Sequence, residues 1–224
     1  MSVLILNGSP RGKKSTSSSF GNYLAEQFHT HGVETNTLTI RNQLNSDAKI
    51  HVMLKEVENS DLIILLAPLY IDSQPYIVIK LMELIAEKEM NLEGKRFFPI
   101  MNNGFPEAEQ ITAVSIPIYH KFAKMVGLIW AGSLTIGMGE IFQGRRGKQL
   151  NELGKIADKM KSVLNSVAET LSTGEDLPDL VPKVMPGIFY WKILKRSFLK
   201  MGDKSWSKIA EEKGEQVDAK PYLE

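Results

Sequence analysis

The stretch Gly8-Ser9-Pro10-Arg11-Gly12-Lys13-Lys14-Ser15-Thr16-Ser17 brings together glycines, a guanidinium and the start of a hydroxyl run at 15–19. Glycine lets a backbone approach a ligand closely. Where such a loop turns into a helix, unpaired N–H groups and the positive end of the helix dipole attract an anion. Arg11 adds a two-pronged donor for phosphate oxygens. The same residues also suit a plain cap with a solvated loop, since Ser and Thr are common caps. The spacing is neither GxGxxG nor GxxxxGK[ST], which argues against a kinase or ATPase.

Two further loops have unusual compositions. Ala67-Pro68-Leu69-Tyr70-Ile71-Asp72-Ser73-Gln74-Pro75 sets an apolar Leu-Tyr-Ile run between prolines. That suits a stiff wall for a planar apolar ligand, or a surface packed on a partner chain. Met101-Asn102-Asn103-Gly104-Phe105-Pro106-Glu107 offers side-chain amides and backbone amides to the edge of a heterocycle, or an Asn-Gly turn before a helix. Gly137-Met138-Gly139 is too generic to read alone. The four histidines, His29, His31, His51 and His120, show no metal-ligand spacing; 29 and 31 stand about 200° apart on a helix. No metal site is expected.

The elements around these loops follow from apolar patterning. Residues 3–6, VLIL, and 62–67, LIILLA, are short runs apolar on both faces, as in a parallel strand covered on both sides. Residues 33–40, 96–101 and 128–136 complete five expected strands. Pro99 cannot donate to a ladder, so a bulge or strand end is expected there. Between the strands, apolar residues recur at helical spacing: Phe20, Leu24 and Phe28; Ile50, Met53, Leu54 and Val57 after Asp47; Ile77, Leu81 and Ile85. Helices are also expected over 107–126, kinked at Pro117, and over 148–171. Five strands alternating with five helices predict an α/β fold: a doubly wound, five-stranded parallel sheet with helices on both faces. Ligands then bind beyond the carboxyl ends of the strands, where all these loops lie.

The 224 residues suit one such domain over 1–172 and a C-terminal helical extension over 173–224. A net charge of +1 gives no basic field for nucleic acid. The absence of cysteine excludes disulfides, iron–sulfur clusters and a thiol nucleophile. No signal peptide opens the chain, and no apolar run approaches the roughly 18–20 residues of a membrane span, so the sequence reads as cytoplasmic. From 180 to 202 basic residues interleave with Phe189, Tyr190, Trp191, Ile193, Leu194, Phe198 and Leu199. Packing on the domain or a partner subunit is favoured there over peripheral membrane contact by 188–200.

The strings NGSPRGKKSTS, APLYIDSQP and NNGFPE, in this order, resemble the NAD(P)H-dependent FMN reductases and flavodoxin-like oxidoreductases. The ending SWSKIAEEKGEQVDAKPY is similar to the tryptophan, helix and Lys-Pro-Tyr ending of some members. The resemblance implies a flavodoxin-like fold and FMN as cofactor. It implies that Ser9, Arg11, Ser15, Thr16 and Ser17 hold the FMN phosphate. It lays Pro68, Leu69, Tyr70 and Ile71 along the isoalloxazine and sets Asn103, Gly104 and Phe105 at its pyrimidine side, with Tyr70 and Asp72 placed to tune it. Trp191 and Trp206 are candidates to cap the flavin. The implied activity is hydride transfer from NADPH or NADH through FMN to a small planar acceptor such as a quinone, azo compound or flavin. The chemistry then sits on the flavin, with no protein acid or nucleophile, and the assembly is a homo-oligomer. Arg145 and Arg146 are candidates for a 2′-phosphate contact. The alternative is a flavodoxin-type electron carrier without direct nicotinamide turnover, which the net charge of +1 disfavours. Two departures from the family pattern stand out. The cluster-binding branch is closed without cysteine, and Asn102-Asn103 stands where a cysteine often precedes Gly-Phe-Pro-Glu.

Overall fold

The computed structural model describes residues 1–182 apart from 71, 91, 106–107, 109–110 and 144–147, and scattered positions between 196 and 216. Strand β1 (Ser2–Asn7) carries VLIL buried on both faces. Its alternation splits the core in two. Leu4 and Leu6 join one cluster with residues of helices α3 (Asp47–Asn59), α4 (Tyr76–Glu87) and α5 (Ile116–Val126). Val3 and Ile5 join the other, with α1 (Thr16–Thr30) and α6 (Asp158–Ser172). Burying each such Leu, Ile or Phe is worth about 1.5–3 kcal/mol, so two covered faces fix the layering. Ser46 caps α3 by accepting from Lys49 N–H, as the Ser-Asp start suggests.

The sheet is parallel, in the order β2 (Glu34–Thr39), β1, β3 (Leu62–Pro68), β4 (Arg96–Asn102), β6 (Ser133–Ile136), β7 (Asp179–Leu180). A short β5 (Ile129–Trp130) pairs with the start of β4. The doubly wound layout is as expected, but the sheet holds seven strands, not five. One extra strand is β7, two residues with no pattern to announce them. The other arises because the stretch 128–136 is broken in two.

Pro99 explains the break. It lies inside β4, buried and paired with Leu65 of β3. Arg96 N–H donates toward β3, to Asp61 O, whereas Phe97 O accepts from Ala131 N–H on the other side. Alternation along the strand therefore aims the Pro99 nitrogen away from β3, toward β5 and β6. There, between the pairs Phe97↔Trp130 and Ile100↔Leu134, two residues of β4 (98–99) face three (131–133). The expected bulge exists, but on the strand opposite the proline. Gly132 sits in it at φ +99°.

Two expected helices differ in detail. Helix α5 starts only at Ile116, after a wide turn at Ile111–Ser115. Pro117 thus falls in its first turn, among the positions whose N–H groups lack an intrahelical partner anyway. The stretch 148–171 opens with two short 3-10 turns, Leu150–Glu152 and Gly154–Ala157, before α6 begins. Gly154, at φ +58°, ends regular winding between them. A four-residue helix α2 (Ile40–Gln43), not foreseen, follows β2.

The chain forms two compact units, Met1–Val184 and Met185–Glu224. In the second, Lys208 and Glu212 pair at 3.9 Å, one helical turn apart. Trp191, Trp206 and most of the aromatic basic stretch lie outside the described residues. Among the described residues, no helix is long and apolar enough to cross a membrane.

Candidate functional site at the carboxyl edge of the sheet

Parallel strands deliver their following loops to one edge, so the loops after β1, β3, β4 and β6 converge. The first is built around Asn7, which directly follows the apolar run 3–6. Its side chain donates to Gly12 O (3.1 Å) and accepts from Ser9 N–H (3.0 Å). Ser9 Oγ accepts from Arg11 N–H (3.3 Å), and Ser9 O from Gly12 N–H (2.9 Å). Arg41 of α2 donates to Pro10 O (2.9 Å). The loop is thus a braced turn. Its Arg11 side chain projects outward, exposed and without an ion pair among the described residues.

The glycines of this loop serve the fold. A Cβ on Gly8 would collide with Val78 of α4 and crowd Ala67, and Gly12 holds φ +61°. The hydroxyl run is largely engaged too. Ser15 caps α1, accepting from Ser18 N–H (3.1 Å) and donating to Gly12 O (2.6 Å). Thr16 donates to Gly139 O (3.2 Å), and Ser19 accepts from Leu150 N–H (2.7 Å). Ser17 Oγ accepts from Asn102 Nδ2 (3.2 Å), which leaves its own proton to give. Ser9 likewise keeps its proton. The N–H groups of Thr16 and Ser17 are the first-turn donors without an intrahelical acceptor.

Asn102 ties the fourth loop to the others. It is 6% exposed, its side chain donates also to Ala67 O (3.3 Å), and its backbone carbonyl accepts from Leu69 N–H (2.7 Å). Asn103 N–H donates to Ile136 O (3.1 Å), and Asn103 O accepts from Gly139 N–H (2.6 Å). Phe105 O accepts from Met138 N–H at 2.5 Å. A Cβ on Gly139 would meet Asn102 Oδ1 at 2.7 Å. Hence Gly137-Met138-Gly139, unreadable in isolation, is a close-packed clasp over the fourth loop and α1. Met138 is held at φ +58°, a strained setting for a side chain.

The third loop turns back on itself. Tyr70 N–H donates to Ser73 O (2.9 Å) and Ser73 N–H to Tyr70 O (3.1 Å), with Asp72 at φ +62°. Buried Gln74 anchors the loop, donating to Ser115 O (2.9 Å) and accepting from Ser73 Oγ (3.0 Å). Pro68 ends β3 opposite Asn102, and Leu69 packs against the core. Ile71 lies outside the described residues, as do Arg145 and Arg146. The Tyr70 and Phe105 rings of these loops stay in solvent, at 44% and 60% exposure, while Asn103 is 5% exposed and Gly104 half-buried.

A family model described as a flavodoxin-like fold matches residues 1–155. The chain belongs to the flavodoxin-like family. No curated protein matches this flavodoxin-like chain. Among solved structures, an NADH:FMN oxidoreductase in its apo form is 16% identical, with a TM-score of 0.60, covering 78% of this chain and 90% of that one. An FMN-dependent NADH-azoreductase from Bacillus anthracis is 12% identical, TM-score 0.54, covering 77% and 100%. A flavodoxin from Streptococcus pneumonia TIGR4 is 15% identical, TM-score 0.54, covering 78% and 99%. These likenesses establish the fold.

Proposed function

We propose that this flavodoxin-like protein binds FMN at the carboxyl edge of its sheet and passes a hydride from NAD(P)H to a small planar acceptor such as a quinone, azo compound or flavin. The observation that carries the reading is the braced first loop. It presents the exposed Arg11 guanidinium and the orphan N–H groups of Thr16 and Ser17 at one helix end. That donor set, all positive or N–H, fits a phosphate. When bound, FMN would supply the redox chemistry.

The residues of this chain then bind and orient. Arg11 and the N–H groups of Thr16 and Ser17 hold the phosphate, with Ser9 and Ser17 hydroxyl protons as further donors. Ser15 and Thr16 hold the shape of the loop through their own hydrogen bonds. Pro68, Leu69 and Tyr70, followed in sequence by Ile71, form the wall along the ring, and Asp72 at the turn fixes the Tyr70 backbone. Asn103, Gly104 and Phe105 address the opposite edge of the ring. No protein acid, base or metal is required. A cytoplasmic homo-oligomer, with 1–172 as the flavin domain and 173–224 as an extension packing on the domain or a partner subunit, completes the reading.

The flavodoxin likeness supports a second reading, an electron carrier that does not turn over nicotinamide. An absorbance spectrum of the purified protein, supplemented with FMN under anaerobic conditions and then with NADPH or NADH, separates the two. Flavin bands that bleach within seconds of adding either donor support the oxidoreductase, and the faster donor names the co-substrate. Bound flavin that bleaches with dithionite but not with nicotinamide leaves the carrier. Failure to retain FMN sinks both.

A further inference from the structure

The flavodoxin-like unit has a further concave surface, which borders the first loop at Asn7 and Lys13. It is a cleft of about 410 Å³ between α1 and the outer strands β1 and β2. Asn36 of β2 bonds Glu56 of α3, and Leu38 packs in the α3–α5 core, so alternation turns Thr37 and Thr39 to the α1 side. There they face Ser18 and Asn22 of α1. Gly21 lets α1 sit close above Ile5, where a Cβ would already be 3.2 Å from the Ile5 side chain. The apolar floor of the cleft is therefore small, and its walls are polar.

We propose that this cleft binds a small hydroxylated phosphate, of the sugar-phosphate class. Among the described residues, Lys13 is the only charged side chain lining it, and no carboxylate does. The field therefore favours an anion and rejects a cation. Lys13 forms no ion pair among the described residues, so its ammonium is available at the mouth. Asn22 Nδ2 donates to Gln149 Oε1 (3.0 Å), which roofs the cleft and leaves Asn22 Oδ1 to accept and Gln149 Nε2 to donate. The Thr37 and Thr39 hydroxyls each give and take a hydrogen bond, and neither has a partner within the described residues. Hydroxyls and amides that both donate and accept match the hydroxyls of a sugar. Among the described residues no aromatic ring lines the cleft, so none of them stacks a planar heterocycle there, and flavin and nucleobase are disfavoured. The volume is at the small end for ligand pockets and suits one sugar ring. Asn7 also borders the cleft, but its amide is engaged by the first loop and makes no contact in this proposal.

The test is an amide-shift titration of the ¹⁵N-labelled full-length protein with ribose 5-phosphate, ribose and inorganic phosphate, each up to the millimolar range. The expected result is saturable shifts at Asn22, Thr37 and Thr39 with ribose 5-phosphate, and weaker ones with either half alone. Lys13→Gln and Thr37→Val, both at exposed positions, are each expected to weaken binding roughly tenfold. Arg11→Ala is expected to leave it unchanged. The proposal is overturned by the absence of saturable shifts, by shifts confined to Arg11, Thr16 and Ser17, or by binding that survives both Lys13→Gln and Thr37→Val.

Discussion

Asn102, at the end of β4, donates to the Ser17 hydroxyl in the first turn of α1, 3.2 Å away, and to Ala67 O of β3, 3.3 Å away. One buried amide thereby joins three elements at the candidate site. Asn102→Leu keeps the volume but leaves the Ser17 and Ala67 oxygens without this donor. It is expected to lower stability by about 1–3 kcal/mol, seen as a shifted urea midpoint at unchanged slope. Flavin retention should fall with it, because Ser17 loses its support.

Arg11 projects from a loop whose shape is held by Asn7, Ser9, Ser15 and Arg41. Arg11→Ala should therefore weaken FMN roughly ten- to hundredfold in a fluorescence titration, the loss of a charge-assisted pair. The urea midpoint should stay where it was. Unchanged FMN affinity would remove Arg11 from the phosphate site.

Gly132 occupies the bulge opposite Pro99 at φ +99°, and a Cβ there would run into the Leu177 carbonyl. Leu177 N–H donates to Ala131 O (3.0 Å) and leads into β7. Gly132→Ala combines backbone strain with displacement of that edge strand. A loss of about 2 kcal/mol or more is expected in denaturant unfolding.

Asp61 accepts from Ser2 N–H (2.7 Å) and Ser2 Oγ (3.2 Å), joining the starts of β3 and β1. The Ser2 N–H, foremost, holds its carboxyl below the ordinary range, against a smaller opposing effect of burial. A depressed folded-state pKa stabilises above the unfolded value, about 4, and the benefit is lost as pH falls through the folded value. Asp61→Asn should flatten the acid limb of the stability–pH curve below about pH 4. The side chain is 62% exposed, so solvent screening limits the effect to a few tenths of a kcal/mol.

The sequence by itself determined the layering. Runs such as VLIL and LIILLA, and apolar residues at helical spacing, report burial directly, because the hydrophobic effect acts on each residue whatever its distant neighbours. It also marked the loops that the parallel strands bring together at one edge, since glycine, proline and hydroxyl clusters have local conformational meanings. Tertiary structure decided what depends on residues far apart in the chain. The bulge foreseen at Pro99 appears on the opposite strand because a missing donor is felt by whichever strand it faces. The glycines at 8 and 139 answer to Val78 and Asn102, which no local pattern reveals. Asn7 follows the apolar run 3–6 and Asn102 reads as a loop amide, and their bracing roles emerged only from partners 5 and 85 positions away. Hydrogen bonds are satisfied across folded space, and a one-dimensional pattern carries the demand for a partner but not its identity.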